Sequence, residues 1–219
     1  MTQALPTITR RRAMTQQRLL TAASVIIAER GLHGATVEDI CEAAGFTRGA
    51  FYSNFADKEQ LFSALLRQEK EQLLARIDRV ISDETPIRCD GDVIDELVEK
   101  VLAAHPRDRQ SHLVHAEFSL HAIRNPEAAR QMIQEDDEFK TELARLLEAG
   151  LVRAGRRLSV PADDAVATMI AGFEIDMREL LLREAAAEPG FEAPHRPDSG
   201  LARRTLPLII RALSEPLPG

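Results

Sequence analysis

Tryptophan is absent from this chain of 219 residues, tyrosine occurs once and cysteine twice. Cys41 and Cys89 stand far apart, and neither lies in a CxxC pair or beside a His/Cys ligand pattern, so a disulfide scaffold and a thiolate metal centre are both excluded. Cys41 reads as a helix residue and Cys89 as a loop residue, with a redox-switch thiol as the alternative, and a reducing cytoplasm is the natural setting. There is no sustained period-two alternation and no Asn-Gly or Asp-Gly hairpin, which leaves little room for sheet. Long apolar runs are missing as well. The longest apolar-leaning stretch, Leu19 to Ala28, is interrupted by Thr21 and Ser24 and is too short to cross a bilayer. Also absent are a Gly-rich phosphate loop, a nucleophile elbow and a paired metal motif, so no enzyme site is expected. The beginning of the chain has no apolar segment followed by a small-residue cleavage site, and it reads as a mature basic arm covering residues 1–14.

What is present is ordinary globular material, 44% hydrophobic and 29% charged, with a net charge of −7. The charge is unevenly placed. Residues 1–60 hold seven Lys/Arg against six Asp/Glu, leaving twenty-one against twenty-nine for the remainder. The first 28 residues contain Arg10, Arg11, Arg12 and Arg18 and no acid, a local field that suits a polyanion. Arg10 to Arg12 could enter a flanking minor groove or remain a solvated tail.

Helical periodicity dominates. Leu19, Ala22, Ala23, Ile26 and Ile27 share one face of a helix expected over Thr15 to Arg30, with Gly31 as its left-handed terminator. Thr36, with Asp39 three residues on, caps a short helix bearing Val37, Ile40 and Ala44 that ends at Gly45. Thr47 caps a second short helix, about Arg48 to Phe55. Asp57 with Gln60 opens a long one that runs to about Ser82 and looks like a connector. Further helices are expected at about 92–104, 108–123, 126–154, 162–187 and 198–214, separated by the loop Asp83 to Gly91, by Pro106, Pro126 and Pro161, and by the Pro/Gly-rich stretch Glu188 to Gly200. Pro207 should kink the last helix or delay its start.

From Thr36 to Glu59 the sequence reads TVEDICEAAGFTRGAFYSNFADKE. Two short helices on either side of a glycine turn make the geometry that presents one helix to the major groove. Ile40, Ala43, Ala44 and Phe46 are expected to bury the first and Phe51 and Phe55 the second. The free face then offers Thr47, Arg48, Gly49, Tyr52 and Asn54 to bases and phosphates. Gly49 inside a helix costs roughly 1 kcal/mol relative to Ala, a cost that makes sense if backbone must approach DNA closely. Lys58 at a helix N-terminus opposes the dipole but suits a phosphate.

At these residues the stretch from about Thr15 to Leu66 resembles the DNA-binding domain of the tetracycline-repressor (TetR) family. Gly31, Thr36-Val-Glu-Asp-Ile, Ala44-Gly45-Phe46-Thr47-Arg48-Gly49, Phe51-Tyr52, Phe55 and Lys58-Glu59-Gln60-Leu61 carry the resemblance, which covers about a quarter of the chain. It implies an all-α protein, with a three-helix helix-turn-helix domain over residues 15–62 and a larger helical ligand-binding and dimerisation domain over 63–219. It further implies that Arg48 and Gly49 lie near base edges and that Thr36, Thr47, Tyr52, Asn54 and Lys58 lie on phosphates, although Asn54 stands where relatives often carry His. The partners implied are double-stranded DNA with an inverted-repeat operator, a small-molecule effector and a second copy of the chain. Ligand binding would shift the 58–82 helix, change the separation of the two reading helices and lower operator affinity. Activation or dual regulation instead of repression, or a helical adaptor that no longer touches DNA, are the alternatives.

The dimer helices would use Ala165, Met169, Gly172, Phe173 and Leu180, and Leu201, Leu208, Ile209 and Leu213. For the effector, candidate contacts are His112, His115 and Phe118 from a segment that also holds His105, Glu117 and His121, together with Met169, Phe173 and Met177 at spacings of four. That histidine segment has no recognised ligand signature, and neither a metal nor a cofactor is expected.

Overall fold

The computed structural model describes residues 10–83, 93–104, 109–186 and 200–218. Cys89, His105, Pro106, and the expected loops at 84–91 and 188–199 lie outside these residues. Within them the fold is all-α apart from one short strand pair, in the order α1 Arg10–Gly34, α2 Val37–Ala44, α3 Arg48–Tyr52, α4 Lys58–Ser82, α5 Val93–Ala104, α6 Arg109–Arg124, α7 Pro126–Arg153, β1 Arg156–Leu158, α8 Ala162–Ala185, α9 Leu201–Ala212 and β2 Ser214–Pro216.

The chain divides into two compact units. One comprises Met1–Glu69 with Asp108–Ala129, the other Lys70–Arg107 with Arg130–Gly219. The division differs from a simple cut after residue 62, because α6 packs on α1 and so joins the N-terminal unit. Nothing local in the sequence of α6 announces this; it follows from which apolar faces meet.

In the N-terminal unit, α1 starts five residues before the expected Thr15. Arg10, Arg11 and Arg12 therefore stand on its first turn, while residues 1–9 of the expected arm lie outside the described residues. The segment holds no Gly or Pro, and the Thr15 hydroxyl donates to the Arg11 carbonyl at 3.0 Å, tying the first turns together. Gly31, at φ 73° and ψ 167°, breaks the helix where a terminator was expected. Leu19, Ala23 and Ile27 are buried with Ile40, Phe51, Leu61, Phe62, Val114 and Phe118 in a single core. Side chains from α1, α2, α3, α6 and the start of α4 all contribute to it, so each short helix is held by tertiary burial that its own length could not supply.

The second unit contains two adjoining apolar clusters. Ile94, Val98 and Leu102 of α5 pack with Leu151 and with Ala202, Leu206 and Ile210 of α9. Ile77 and Ile81 of α4 pack with Leu146 of α7. The inward face of α9 is thus Ala202, Leu206 and Ile210, at spacings of four, whereas Leu208 is exposed. Leu208, expected on the face that pairs with a second copy, is thus not part of this core. Pro207 is buried and lies within α9, which neither begins late nor ends at it. The strand pair was not foreseen. Arg156, Arg157 and Leu158 oppose Pro216, Glu215 and Ser214 antiparallel, and Arg156 donates to the Ser214 hydroxyl and carbonyl at 2.8 and 2.6 Å. Three-residue strands carry too little alternation to be seen in sequence.

Candidate nucleic-acid interface

The site begins with two local caps. Thr36, extended at φ −95° and ψ 158°, accepts the Asp39 N–H, and the Asp39 carboxylate accepts the Thr36 N–H and hydroxyl, the latter at 2.5 Å. This reciprocal box starts α2. The Thr36 hydroxyl, with Arg30 beside it at 2.8 Å, holds the Asp39 carboxyl below the usual aspartate value. Gly45, left-handed at φ 69°, ends α2. Thr47 then accepts the Ala50 N–H and starts α3. Asp57 accepts the Gln60 N–H at 2.7 Å, while the Gln60 side chain accepts the Ala56 N–H at 2.6 Å, which starts α4.

Phe51 is completely buried and Phe55 nearly so, with their rings 5.9 Å apart. They pin one side of α3 into the core and leave the other in water. Thr47, Arg48, Gly49 and Tyr52 are exposed there, as expected. The Arg48 guanidinium donates to the Tyr52 hydroxyl at 3.5 Å, lies 5.8 Å from the Tyr52 ring, and pairs with Glu38 of α2. The Tyr52 hydroxyl, then Glu38, push the guanidinium pKa up, so the charge is permanent. Both partners of the Glu38 pair are more than half exposed, and water screens a pair of this kind, so Arg48 can leave it cheaply. Gly49 has room for a side chain: a Cβ there would meet only the Thr47 hydroxyl, at 3.7 Å. Packing therefore does not explain the glycine.

Three residues are disposed differently from the sequence expectation. Asn54 turns its amide back onto α3, donating to the Ala50 carbonyl at 2.8 Å, and its Oδ1 is buried with no partner among the described residues. Lys58 is half-buried; its ammonium donates to the carbonyls of Leu32 at 3.2 Å and Ala35 at 2.9 Å. Ala43, expected in the core, is exposed, and Cys41 takes its place. One residue with a structural role was missed. Arg18 donates to the Ala44 carbonyl at 2.7 Å and lies 4.7 Å over the Phe46 ring, closing the C-terminus of α2. Its spacing of 26 residues from Ala44 hides this in the sequence.

The expected effector residues do not form one group. His112, His115 and Phe118 belong to α6 in the N-terminal unit, where Phe118 is buried against Phe62, with ring centroids 5.5 Å apart. Met169, Phe173 and Met177 belong to α8 in the other unit. Met169 lines a cavity there with Ile77, Val98, Leu147, Val166 and Leu206, and every residue around this cavity is apolar. Among the described residues no three His, Cys, Asp or Glu side chains gather as a metal would require. No helix among them is long and apolar enough to cross a membrane.

Residues 19–65 match the N-terminal model of the bacterial regulatory proteins of the tetR family. Over these residues the chain is similar to the tetR family. UidR of Escherichia coli K12, an HTH-type transcriptional regulator, is 31% identical over 119 residues, covering 54% of this chain and 57% of that protein. The match thus spans little more than half of that curated relative. KstR2 of Mycobacterium tuberculosis, an HTH-type transcriptional repressor, is 45% identical over 67 residues, 31% of this chain and 33% of KstR2. Among solved structures, GusR of Salmonella enterica superposes with a TM-score of 0.65, covering 91% of this chain and 95% of GusR, with 21% identity. The likeness in fold to GusR thus extends through both units, whereas the sequence likeness to KstR2 is confined to 67 residues.

Proposed function

We propose that the protein is a dimeric transcriptional regulator acting in the cytoplasm, a repressor that leaves an inverted-repeat operator when a small molecule binds. The observation that carries the DNA-binding reading is α3. It is one short helix, capped by Thr47 and locked through Phe51 and Phe55, whose open face presents Thr47, Arg48, Gly49 and Tyr52 together. An anchored helix with a cation, two hydroxyls and bare backbone on its free side supplies both phosphate and base contacts. Arg48 and Tyr52 are the direct contacts. In this reading Lys58 acts first on the turn before α2, and Asn54 serves α3 itself.

A second copy covers the apolar side chains that α8 and α9 leave in water, Ile175, Leu182 and Leu208. Paired helices of this kind make a twofold dimer, and a twofold dimer reads two half-sites. The effector site is the cavity at Met169. A lining without a polar side chain selects a ligand by its hydrocarbon portion, since nothing there would replace the water lost by a charged group. The helix-turn-helix adaptor reading finds no support in an intact Arg48/Tyr52 face.

Fluorescence anisotropy against DNA from upstream of the coding region and against a randomised duplex pool tests the reading, with the Arg48→Ala/Tyr52→Ala double variant alongside. Specific, salt-sensitive binding that the variant loses supports it. Equal binding by both proteins refutes the assigned face, and no selected sequence from the pool refutes DNA reading altogether.

A further inference from the structure

Both polar groups of the Leu32 backbone are taken by charged side chains distant in sequence. The N–H donates to Glu117 Oε2 of α6 at 2.9 Å, and the carbonyl accepts from the Lys58 ammonium of α4 at 3.2 Å. Leu32 follows the non-helical Gly31, where the regular hydrogen-bond ladder is interrupted, and the carboxylate supplies the acceptor. Two features favour glycine at position 31. Its φ of +73° disfavours a side chain, and a Cβ would stand 3.1 Å from Glu117 Oε2 and 3.3 Å from Cδ. Four residues beyond Leu32, Thr36 begins α2, and α2 leads through Gly45 to α3. The position of Leu32 is thus an early link in the chain of contacts that places the reading helix.

Glu117 is itself held. One turn and more before it, Gln110 donates to the buried Ser24 hydroxyl of α1 at 2.8 Å. Next to it in sequence, Phe118 packs edge-on against Phe62. At the far end His121 meets His33, with ring centroids 5.9 Å apart. These contacts run along α1 and leave the carboxylate aimed at one amide.

We propose that Glu117 is a positioning residue for α3: by holding the Leu32 amide from α6 it sets where α2 starts and how α3 is presented to DNA. This rests on the DNA-reading function above. It adds that α6, with no residue on the reading face, controls operator affinity through one hydrogen bond.

The test compares Glu117→Ala and Glu117→Gln with the wild type, by operator anisotropy across a salt series and by amide hydrogen exchange of the full-length protein. In Glu117→Ala the Leu32 amide loses its acceptor, and an unsatisfied buried donor should weaken operator binding about tenfold. The salt slope should stay at the wild-type value, because no phosphate contact is removed. Exchange should quicken in residues 30–44 and nowhere else. Glutamine keeps an acceptor oxygen and should restore both properties. Wild-type affinity and exchange in Glu117→Ala overturn the inference. So does a Gln variant as defective as the Ala one, or an exchange increase spread over both units, which would mark general stability. If the wild type binds no DNA, the DNA reading fails and takes the claim on affinity with it. Exchange at 30–44 would still decide whether Glu117 holds this turn.

Discussion

Arg18→Ala is expected to cost stability while leaving the number of phosphates neutralised unchanged. In the sequence Arg18 belongs to a basic run suited to a polyanion; in the fold its guanidinium closes α2, donating to the Ala44 carbonyl at 2.7 Å and lying 4.7 Å over Phe46. A hydrogen bond from a charged donor contributes about 1.5–3 kcal/mol, and a cation over an aromatic ring about 0.5–1 kcal/mol when exposed. Arg18 is exposed, so water can replace part of what is lost, and a total near 1.5 kcal/mol is expected, a Tm lower by about 3–6 °C for a chain of this size. Arg18→Lys keeps a cation at the helix C-terminus but not the planar stack, and should lose about half as much. Urea unfolding and calorimetry give the stability. Anisotropy over a salt series gives the phosphate count, since each phosphate contact adds about 0.9 to the slope of log affinity against log salt. Unchanged stability combined with a slope shallower by about 0.9 would refute the clamp and make Arg18 a DNA contact.

Three further outcomes follow from the same geometry. Gly49→Ala should stabilise the fold by about 0.5–1 kcal/mol, because α3 has room for the methyl group, yet weaken operator binding; a variant both more stable and equally tight would show that backbone approach to DNA does not need this glycine. Asp39 has its carboxyl held down by Thr36, so its contribution is present above the ordinary aspartate pKa and is lost as pH falls through the lower value of the folded state. Protection of the amides at the start of α2, measured as the exchange rate relative to that of an unstructured chain at the same pH, should therefore fall at acid pH in the wild type and be low at every pH in Asp39→Asn, and parallel protection profiles for the two would count against the capping box. Burial pushes the Cys41 thiol pKa up, so iodoacetamide labelling in the native state should be slow and should accelerate in urea; rapid native labelling would mean that the core around Ile40 opens readily.

Everything set within four residues could be read from the chain. The Thr36/Asp39 box, the Thr47 and Asp57/Gln60 caps and the left-handed Gly31 and Gly45 each depend on groups one turn apart or less, and each appears where its residues are. The burial of Phe51 and Phe55 was equally legible, because spacing by four places both on one side of a helix whatever lies opposite. The structure departs from the expected disposition where the local signal was ambiguous. Ala43 and Cys41 are both small and apolar, and only the path of α1 and α3 decides which of them faces the core. Asn54 could reach solvent or its own helix, and the Ala50 carbonyl captured it.

The sequence by itself therefore determined the helices, their caps and the exposed character of Thr47, Arg48 and Tyr52, since these rest on backbone hydrogen bonding and periodicity that nearby residues specify. Tertiary structure alone decided that α6 belongs with the N-terminal unit, that Lys58 and Arg18 are spent on carbonyls 23 to 26 residues away, and that Glu117 meets an amide 85 residues away. A charged side chain carries no mark of its eventual partner, because the partner is a backbone group that every residue possesses, and only packing brings the two together.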